Sequence, residues 1–473
     1  MKIYDQFYIN GQWVEPSDKK LLDVINPSTE EVCAQIAIGN AQDVDIAARA
    51  ASQAFKSYGF SSVQDRIEIL QAIITAFKVR YNDIADAISE EMGAPTQLSV
   101  KAQTGSGLGH FKTAASLLET YSFKEQQSAS LIVKEPIGVC ALITPWNWPL
   151  NQIACKVAPA IAVGCTVILK PSEVAPLSAY IFSQLMDEAG LPVGVYNMIN
   201  GDGPGVGTAL SEHPLIDMVS FTGSTRAGSL VAKNAAPTVK RVAQELGGKS
   251  ANIILADADI EKAVKQGALT VFSNTGQSCN APTRMLVPAD KMEQAEQIAA
   301  KVAAKVVVGP ATAEATTMGP LVSQVQYDKV RALIAKGIDE GAKLICGGLE
   351  RPNDLEKGYF VKPTVFSNVN NQMTIAREEI FGPVFAIMPY EDLEQAIEIA
   401  NDTPYGLAGY VQGQDKETLS YVASRIRAGN ININGKSGDF NTPFGGFKQS
   451  GNGREWGTHG FEDYLEIKAI SGL

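Results

Sequence analysis

The chain has 473 residues, a length that predicts two or three domains rather than one small core. Hydrophobic residues make up 45% of it and charged residues 19%, proportions typical of a globular protein and unlike those of a disordered chain. The formal net charge of −11 argues against a general nucleic-acid-binding surface, because such a surface needs clustered Lys and Arg to replace phosphate counterions.

The amino-terminal residues predict a β-hairpin and no signal peptide. Side chains alternate around Asn10-Gly11, and Asn-Gly suits the positive φ angles of a tight turn. No charged region followed by an apolar one precedes it. The most apolar long stretch runs only from Val157 to Leu169 and is too short to cross a bilayer. These features predict a cytoplasmic protein that does not bind membranes.

The cysteines and histidines indicate neither a disulfide framework nor a metal site. The six cysteines contain no Cys-x-x-Cys pair, and the three histidines lie far apart in the sequence: Cys33, Cys140, Cys155, Cys165, Cys279 and Cys346; His110, His213 and His459. Most of the thiols are expected to be buried, and a nucleophilic cysteine would have a carboxylate as its proton partner.

Between about residues 137 and 250, β-rich runs alternate with helix-like segments. The predicted strands are Val139–Thr144, Thr166–Lys170, Val195–Ile199, Met218–Thr222 and Val242–Leu246, and the predicted helices are Leu150–Val163, Leu177–Ala189, Val206–Glu212 and Ala227–Ala235. This alternation predicts a parallel sheet with helices on both faces and a ligand site at the carboxyl ends of the strands.

A second alternating region follows and predicts a second α/β domain. Its strands and helices are expected at Ala251–Leu255, Ile260–Phe272, Arg284–Val287, Asp290 to about Lys305, Lys343–Cys346, Val384–Pro389, Leu393–Ala400, Leu407–Val411, Lys416–Ile426 and Asn430–Ile433. We therefore assign residues 1–117 and 138–247 to a first domain and residues 248–447 to a second. Residues 118–137 and 448–473 lie outside both; Leu118–Val133 fits either a projecting strand pair or a surface loop.

No generic phosphate-binding motif is complete. The glycines from Gly201 to Gly207 miss the G-x-G-x-x-G spacing, and Gly223 to Gly228 lacks the Lys-Ser/Thr of a P-loop. However, Phe221-Thr222-Gly223-Ser224 leads from a strand into a helix, whose free amides would favour a pyrophosphate. The alternative is an ordinary strand–helix turn.

Three further segments contain candidate catalytic residues, each with a structural alternative. Cys279 lies on a loop bounded by Gly276 and Pro282 and is either a nucleophile or an inert thiol. Glu245 ends a β-run and is either a working carboxylate, a salt-bridge partner of Lys249 or a helix cap. Asn147, between two tryptophans and two prolines, is either an oxyanion donor or part of a rigid turn.

Together these segments resemble the NAD(P)-dependent aldehyde dehydrogenase superfamily, in its order and spacing over nearly the whole chain. The matching motifs are Pro145-Trp146-Asn147-Trp148-Pro149, Lys170-Pro171-Ser172-Glu173, Phe221-Thr222-Gly223-Ser224-Thr225, Glu245-Leu246-Gly247-Gly248-Lys249-Ser250, Gly276-Gln277-Ser278-Cys279, Glu378-Glu379-Ile380-Phe381-Gly382-Pro383 and Pro443-Phe444-Gly445-Gly446. The resemblance implies two Rossmann-like parallel-sheet α/β domains, one for the cofactor and one for catalysis, plus a small β oligomerisation element.

The resemblance also implies a role for each matching residue. Cys279 would be the nucleophile, Glu245 the general base, Asn147 with the Cys279 backbone amide the oxyanion hole, and Lys156 a residue that assists proton transfer. Cofactor contacts would come from Trp146, Lys170, Glu173, Gly223, Ser224, Gly228, Glu379 and Phe381. The aldehyde tunnel would be lined by Gln152, Cys155, Ser278, Asn280 and Phe444.

The expected reaction is oxidation of an aldehyde to the acid through a hemithioacetal and a thioester on Cys279, without a metal. NAD is expected in preference to NADP, because the Glu173 carboxylate would repel a 2′-phosphate. Glu245 favours hydrolysis over acyl transfer to coenzyme A. The sequence does not identify which aldehyde is the substrate. A homodimer or homotetramer is expected, assembled through 118–137 and 448–473.

Two other hypotheses remain at this point. A cysteine hydrolase of the amidase or esterase class would use Cys279 but leave Lys170, Glu173 and Glu379 without a purpose. A silent NAD-binding or scaffold protein would not need Cys279, Glu245 and Asn147 together. NAD-dependent turnover distinguishes the dehydrogenase from both.

Overall fold

A computed structural model of the chain describes residues 1–472. Its helices are α1 (Ala41–Tyr58), α2 (Val63–Val79), α3 (Tyr81–Met92), α4 (Thr96–Leu98), α5 (Gly105–Thr120), α6 (Pro149–Val163), α7 (Leu177–Glu188), α8 (Thr208–Glu212), α9 (Thr225–Ala235), α10 (Ile260–Phe272), α11 (Met292–Ala303), α12 (Gln324–Asp339), α13 (Thr374–Arg377), α14 (Leu393–Asn401), α15 (Lys416–Arg425) and α16 (Gly457–Glu462).

The strands in chain order are β1 (Lys2–Tyr4), β2 (Phe7–Ile9), β3 (Gln12–Val14), β4 (Leu21–Asn26), β5 (Glu31–Ala37), β6 (Lys124–Gln127), β7 (Ser130–Pro136), β8 (Val139–Ile143), β9 (Thr166–Lys170), β10 (Tyr196–Met198), β11 (Met218–Thr222), β12 (Arg241–Glu245), β13 (Ala251–Ile254), β14 (Arg284–Pro288), β15 (Lys343–Cys346), β16 (Thr364–Ser367), β17 (Val384–Tyr390), β18 (Ala408–Gln412), β19 (Asn430–Ile433), β20 (Gly451–Asn452) and β21 (Leu465–Ser471).

The first large sheet has eight strands in the order β20-β12-β11-β8-β9-β10-β2-β3. Its five inner strands, from β12 to β10, are parallel, and the β2–β3 hairpin and β20 pair antiparallel at its two ends. From β8 the chain continues to β9, which lies on one side of β8. It later returns to form β11 on the other side of β8. This reversal opens a crevice at the carboxyl ends of β8 and β11, where doubly wound sheets bind ligands.

The second large sheet has seven strands in the order β15-β16-β17-β14-β13-β18-β19, parallel except for β15. Residues 246–250 connect β12, the last parallel strand of the first sheet, to β13, an inner strand of the second. The mixed α/β architecture with two parallel sheets confirms the predicted fold class. The separate division of the chain into domains remains a prediction.

Two small sheets complete the structure. One has the order β1-β5-β4, and the other has the order β21-β7-β6. In the latter, the carboxyl-terminal strand pairs antiparallel with β7 over its whole length, from Leu465 opposite Pro136 to Ser471 opposite Ser130. The carboxyl-terminal segment is thereby bonded to a hairpin that lies more than three hundred residues earlier in the chain.

Helix α6, which follows the Trp146-Asn147-Trp148 segment, is buried on all sides. Almost every residue of α6 has little solvent exposure, because α5, α7 and the first sheet surround it. Its sequence is apolar around the whole helix for the same reason. The helix begins with Pro149 at its first position and ends at Gly164, which has φ +102°.

The predicted elements agree with the structure except near residue 118. The hairpin at Asn10-Gly11 and the five inner strands of the first sheet are present. However, α5 continues to Thr120, and the strand pair begins only at Lys124, because apolar residues at helical spacing up to Leu118 pack into the core. No helix in residues 1–472 is long and apolar enough to span a membrane.

Candidate active site

Two cavities meet at the loop that carries Cys279. The first, of about 200 Å³, lies at the carboxyl ends of β8 and β11 and is lined by residues that include Trp146, Asn147, Gln152, Gly223, Ser224, Cys279, Glu379 and Phe381. The second, of about 480 Å³, is lined by Ser278 and Asn280, the two neighbours of Cys279, and by Phe444 and Trp456. Cys279 itself lines the first cavity, and its two sequence neighbours line the second.

The Cys279 loop adopts a constrained backbone conformation. Asn274, Thr275 and Gly276 have φ values of 52°, 57° and 71°, three consecutive residues in the left-handed region. A Cβ atom on Gly276 would lie 2.0 Å from the carbonyl oxygen of Gly382, so only glycine fits there. Such strain persists only where the surrounding structure imposes it, and it is concentrated at functional sites.

Both neighbours of Cys279 are fixed by hydrogen bonds from other elements. The Trp148 indole nitrogen donates to the Ser278 hydroxyl at 2.8 Å, and the Tyr410 hydroxyl donates to the Asn280 carbonyl at 2.9 Å. The backbone of Cys279 also contacts Gly248, where a Cβ atom would lie 2.4 Å from its carbonyl oxygen. The position of the thiol is thus determined by residues from both halves of the chain.

Asn147 lines the same cavity as Cys279 and is oriented by the Cys279 loop itself. Its side-chain nitrogen donates one hydrogen bond to the Gln277 carbonyl at 2.9 Å, which leaves its second N–H available. The Asn147 carbonyl accepts hydrogen bonds from the Gln103 and Asn274 amides at 3.0 and 2.9 Å. An oriented amide donor beside a thiol is what an oxyanion hole requires.

Glu245 is a buried carboxyl group at the end of β12. Its side chain is about 4% exposed, and neither of its oxygens has a hydrogen-bond partner among residues 1–472. Burial and the charge of Glu455 raise its pKa well above the usual range, although Lys156 and Arg454 oppose this. Lys249 does not pair with it, because its ammonium donates to the Glu378 carbonyl at 2.7 Å. This costly arrangement argues against a merely structural carboxylate.

Lys156 forms a buried ion pair with Glu455, a residue that the sequence analysis did not identify. The ammonium of Lys156 donates to Glu455 and, at 3.1 Å, to the Ser220 hydroxyl. The Cys155 thiol donates to the other Glu455 oxygen at 3.3 Å. A lysine on a helix that is otherwise uncharged and buried needs a buried counter-charge, and this was the available signal for an unidentified acidic partner.

The first cavity has the features of a nucleotide cleft. Ser224 caps the N-terminus of α9, so the first backbone amides of that helix face the cavity edge. The Trp146 and Phe381 rings both line the cavity and contact each other edge to face, with centroids 5.3 Å apart. The Glu379 carboxylate accepts the Gly248 backbone N–H at 3.0 Å. Lys329 and Gln326 also line the first cavity. They lie on α12, and the sequence of that helix gave no indication of this role.

Three predicted cofactor residues do not line this cavity. Lys170 follows the buried part of β9 and donates to the Pro171 carbonyl at 2.8 Å and to Glu173 at 3.2 Å. Gly228 lies inside α9, where a Cβ atom would be 2.6 Å from a Leu246 methyl group. Its role in the structure is close packing of the helix against the sheet. A nucleotide would reach Lys170 and Glu173 only by extending beyond the cavity.

The predicted tunnel residues are divided between three places. Ser278, Asn280 and Phe444 line the second cavity, whereas Gln152 lines the first, beside Asn147 and Cys279. Cys155 lines neither, because its side chain is buried against Glu455. This placement differs from the expectation for Cys155: on α6 it faces the ion pair behind the site instead of the aldehyde path.

Residues 13–470 match a family model described as the aldehyde dehydrogenase family. The chain belongs to this family. The match includes the inner strands of both large sheets and the loop that carries Cys279.

Individual relatives agree with this assignment. A 3-succinoylsemialdehyde-pyridine dehydrogenase from a Pseudomonas species is 57% identical, with 100% of this chain and 99% of the relative covered. The structure of aldehyde dehydrogenase C from Pseudomonas syringae, a cysteine-to-alanine mutant with NAD⁺ and octanal, is 52% identical with a TM-score of 0.98, covering 99% of this chain and 96% of that one. A betaine aldehyde dehydrogenase from Staphylococcus aureus, in complex with NAD⁺, is 38% identical with a TM-score of 0.96, covering 98% and 94%.

Proposed function

We propose that this aldehyde dehydrogenase oxidises an aldehyde to the carboxylic acid with NAD, through a thioester on Cys279 that is hydrolysed with the help of Glu245. The observation that carries the proposal is that the Cys279 loop lines two cavities, one with the features of a nucleotide cleft that Cys279 itself lines and the other lined by Ser278 and Asn280. A cysteine hydrolase would have no use for the first cavity, and a silent scaffold would have no use for the unpartnered Glu245.

The residues of the first cavity suit NAD. The N-terminus of α9 at Ser224 fits a pyrophosphate, the Glu379 carboxylate can accept a ribose hydroxyl, and the adjacent rings of Trp146 and Phe381 can pack against a nicotinamide. When bound, NAD would accept a hydride. Solved relatives contain NAD⁺. Lys170 and Glu173 would hold the adenosine ribose, and the Glu173 carboxylate would favour NAD over NADP by repelling a 2′-phosphate.

In the first half-reaction Cys279 Sγ would bond to the aldehyde carbon and lose its proton. The oxygen of the former carbonyl group would gain negative charge and receive the free N–H of Asn147 and the backbone N–H of Cys279. Burial and the charges of Glu379 and Glu245 raise the pKa of Cys279, so the protein without cofactor holds a thiol at neutral pH. A positive charge in the neighbouring cleft would lower this pKa and favour the thiolate.

In the second half-reaction Glu245 would take a proton from water as the water oxygen bonds to the acyl carbon. The thiolate of Cys279 then leaves and the carboxylic acid is released. The raised pKa of Glu245 suits this role, because it makes the ionised carboxylate a stronger base than that of an ordinary glutamate. Lys156 and Glu455 lie beside Glu245 and are suited to pass its proton onward.

We also propose that residues 1–117 and 138–247 form the NAD-binding domain and residues 248–447 the catalytic domain. Residues 118–137 and 448–473 would form an oligomerisation element. The pairing of β7 with β21 supports this element, since these strands make a separate sheet whose Ile467 side chain is 72% exposed. An exposed apolar side chain on this sheet is suited to contact a second copy of the chain.

The test is NADH formation with a panel of aldehydes, compared between the wild type, Cys279→Ala and Glu245→Gln. We expect no turnover in Cys279→Ala. In Glu245→Gln we expect a single burst of NADH, followed by a steady rate lower by about 10²- to 10⁴-fold, because hydrolysis has lost its base. Mass spectrometry of the stalled protein should show an acyl group on Cys279.

Phe60→Leu is the control, because Phe60 is 85% exposed and lies outside both cavities. Unchanged NADH formation in Cys279→Ala would refute the thioester mechanism. A steady rate in Glu245→Gln equal to that of the wild type, without a burst, would assign the general base to another residue.

A further inference from the structure

Gln103 is a buried polar residue to which the proposed function gives no role. It lies in a π-helical segment, Ser99–Thr104, which joins α4 to α5, and its side chain has no solvent exposure. A π-helical turn within an α-helical region is rare and frequently lies at a functional site. A fully buried amide also needs hydrogen-bond partners, so the partners of Gln103 indicate what this turn supports.

The amide of Gln103 joins the proposed oxyanion donor to the loop of the nucleophile. Its nitrogen donates to the Asn147 carbonyl at 3.0 Å and to the Asn274 side-chain oxygen at 3.3 Å. Asn147 follows β8 in the first sheet, whereas Asn274 belongs to the strained loop that leads to Cys279. One side chain from a third part of the chain is therefore bonded to both.

The amides around Gln103 are also bonded to one another. The Asn274 nitrogen donates to the Asn147 carbonyl at 2.9 Å, and the Asn147 nitrogen donates to the Gln277 carbonyl at 2.9 Å. The Gln277 nitrogen donates to the Asn274 carbonyl at 3.1 Å. All four side chains are buried. A buried and connected network of this kind is rigid, so it holds Asn147 and the Cys279 loop in one arrangement.

The partners of Gln103 determine the orientation of its amide. A carbonyl oxygen can only accept a hydrogen bond, so the atom that faces the Asn147 carbonyl must be the Gln103 nitrogen. In this orientation Gln103 Oε1 is buried and has no partner among residues 1–472. An unsatisfied buried oxygen reduces stability, which argues against a purely structural role for the amide.

We infer that Gln103 is a positioning residue for the oxyanion hole. By holding the Asn147 carbonyl, it fixes the direction of the free side-chain N–H of Asn147 relative to Cys279. Gln103 lines neither cavity, so it acts through Asn147 and does not touch the substrate. The inference rests on the proposed function, because it assigns a support to the oxyanion hole of the same reaction.

A double-mutant cycle tests whether Gln103 acts through Asn147. Gln103→Met keeps the length of the side chain and removes its hydrogen bonds. We expect it to lower the rate constant of the first turnover of NADH formation by about 10- to 100-fold, because the donor is displaced, and to leave the Kd for NAD unchanged. Asn147→Ala should lower the same rate constant by about 10²- to 10³-fold. The double variant should be no slower than Asn147→Ala, since the amide that Gln103 positions is then absent.

Thr104→Val is the matched control, because Thr104 lies in the same π-helical segment, is fully buried and has a hydroxyl without a partner among residues 1–472. It should keep the rate constant of the wild type. Asn274→Gly provides the test if Gln103→Met does not fold. Glycine suits the φ of 52° at this position, and the variant removes the other amide that donates to the Asn147 carbonyl, so a loss of similar size is expected.

Two outcomes would overturn the inference: an unchanged first-turnover rate in Gln103→Met, or losses that multiply in the double variant. The second outcome would show that Gln103 acts independently of the Asn147 amide. Neither outcome affects the proposed function, which would instead be refuted by NADH formation at the wild-type rate in Cys279→Ala.

Discussion

At the scale of single residues, the buried charges around Glu245 have the clearest consequences. Glu245 has no hydrogen-bond partner among residues 1–472, and its pKa is raised by burial and by Glu455. Lys156, Arg454 and Asp463 also face it, and the pKa of Asp463 is itself raised to about 6 by burial. Both carboxyl groups are buried, where the dielectric constant is low. The charge of Glu455 therefore has a strong effect on the pKa of Glu245.

Glu455→Gln should move the acid limb of the kcat–pH profile downward by roughly one pH unit. The base works only when ionised, so activity rises as the pH passes through its pKa; removal of a neighbouring negative charge lowers that pKa and moves the rise to lower pH. The pH dependence of steady-state NADH formation under saturating substrate measures this.

The same variant should lose about 3 kcal/mol of unfolding free energy, because Lys156 is left as an unpaired buried charge. The double variant Lys156→Met/Glu455→Gln is the control and should recover most of that stability in urea unfolding. An acid limb that stays in place in Glu455→Gln would mean that Glu455 does not influence the base.

At the scale of elements, the sequence predicted most strands and helices of the two parallel sheets, because each has a strong local pattern, but it missed β16 and α12. β8 is a continuous apolar run, and α6 is apolar along most of its length. The Cys279 loop is different. Its glycine and proline predicted a turn, but the left-handed conformations of Asn274 and Thr275 are imposed by contacts with distant segments.

Gly276→Ala tests the role of that loop. We expect a loss of about 3 kcal/mol of unfolding free energy, from the positive φ and from the clash of the new Cβ with the Gly382 carbonyl. A thiol displaced by this clash should also lose on the order of a hundredfold in kcat. Chemical denaturation and NADH formation measure the two effects.

Gly341→Ala is the matched control, because Gly341 also has a positive φ of 84° but has open space at its Cβ position. It should lose only about 1 kcal/mol and keep its activity. Equal losses in the two variants would show that the close contact with Gly382 does not position the nucleophile.

At the scale of the whole molecule, the sheet formed by β6, β7 and β21 joins segments from opposite ends of the chain. A chain that ends at Leu465 would lack most of β21 and leave β7 with one unpaired edge. We expect this truncation to form a smaller assembly than the full chain, as measured by light scattering after size-exclusion chromatography.

A chain that ends at Ser471 keeps the complete strand and serves as the control for the truncation. It should retain the mass of the full-length assembly. If the shorter chain also had that mass and remained folded by circular dichroism, the three-stranded sheet would not be the oligomerisation element.

The sequence by itself determined the fold class and the family, because period, turn residues and motif order are local properties that need no knowledge of distant contacts. It also identified Cys279, Asn147 and Glu245 as one candidate set. Only the tertiary structure revealed the Lys156–Glu455 pair, the position of Cys155 behind the site and the second cavity beside the Cys279 loop. These features depend on side chains separated by hundreds of residues, and a buried charge or an unpartnered carboxylate is recognisable only when all of its neighbours are known.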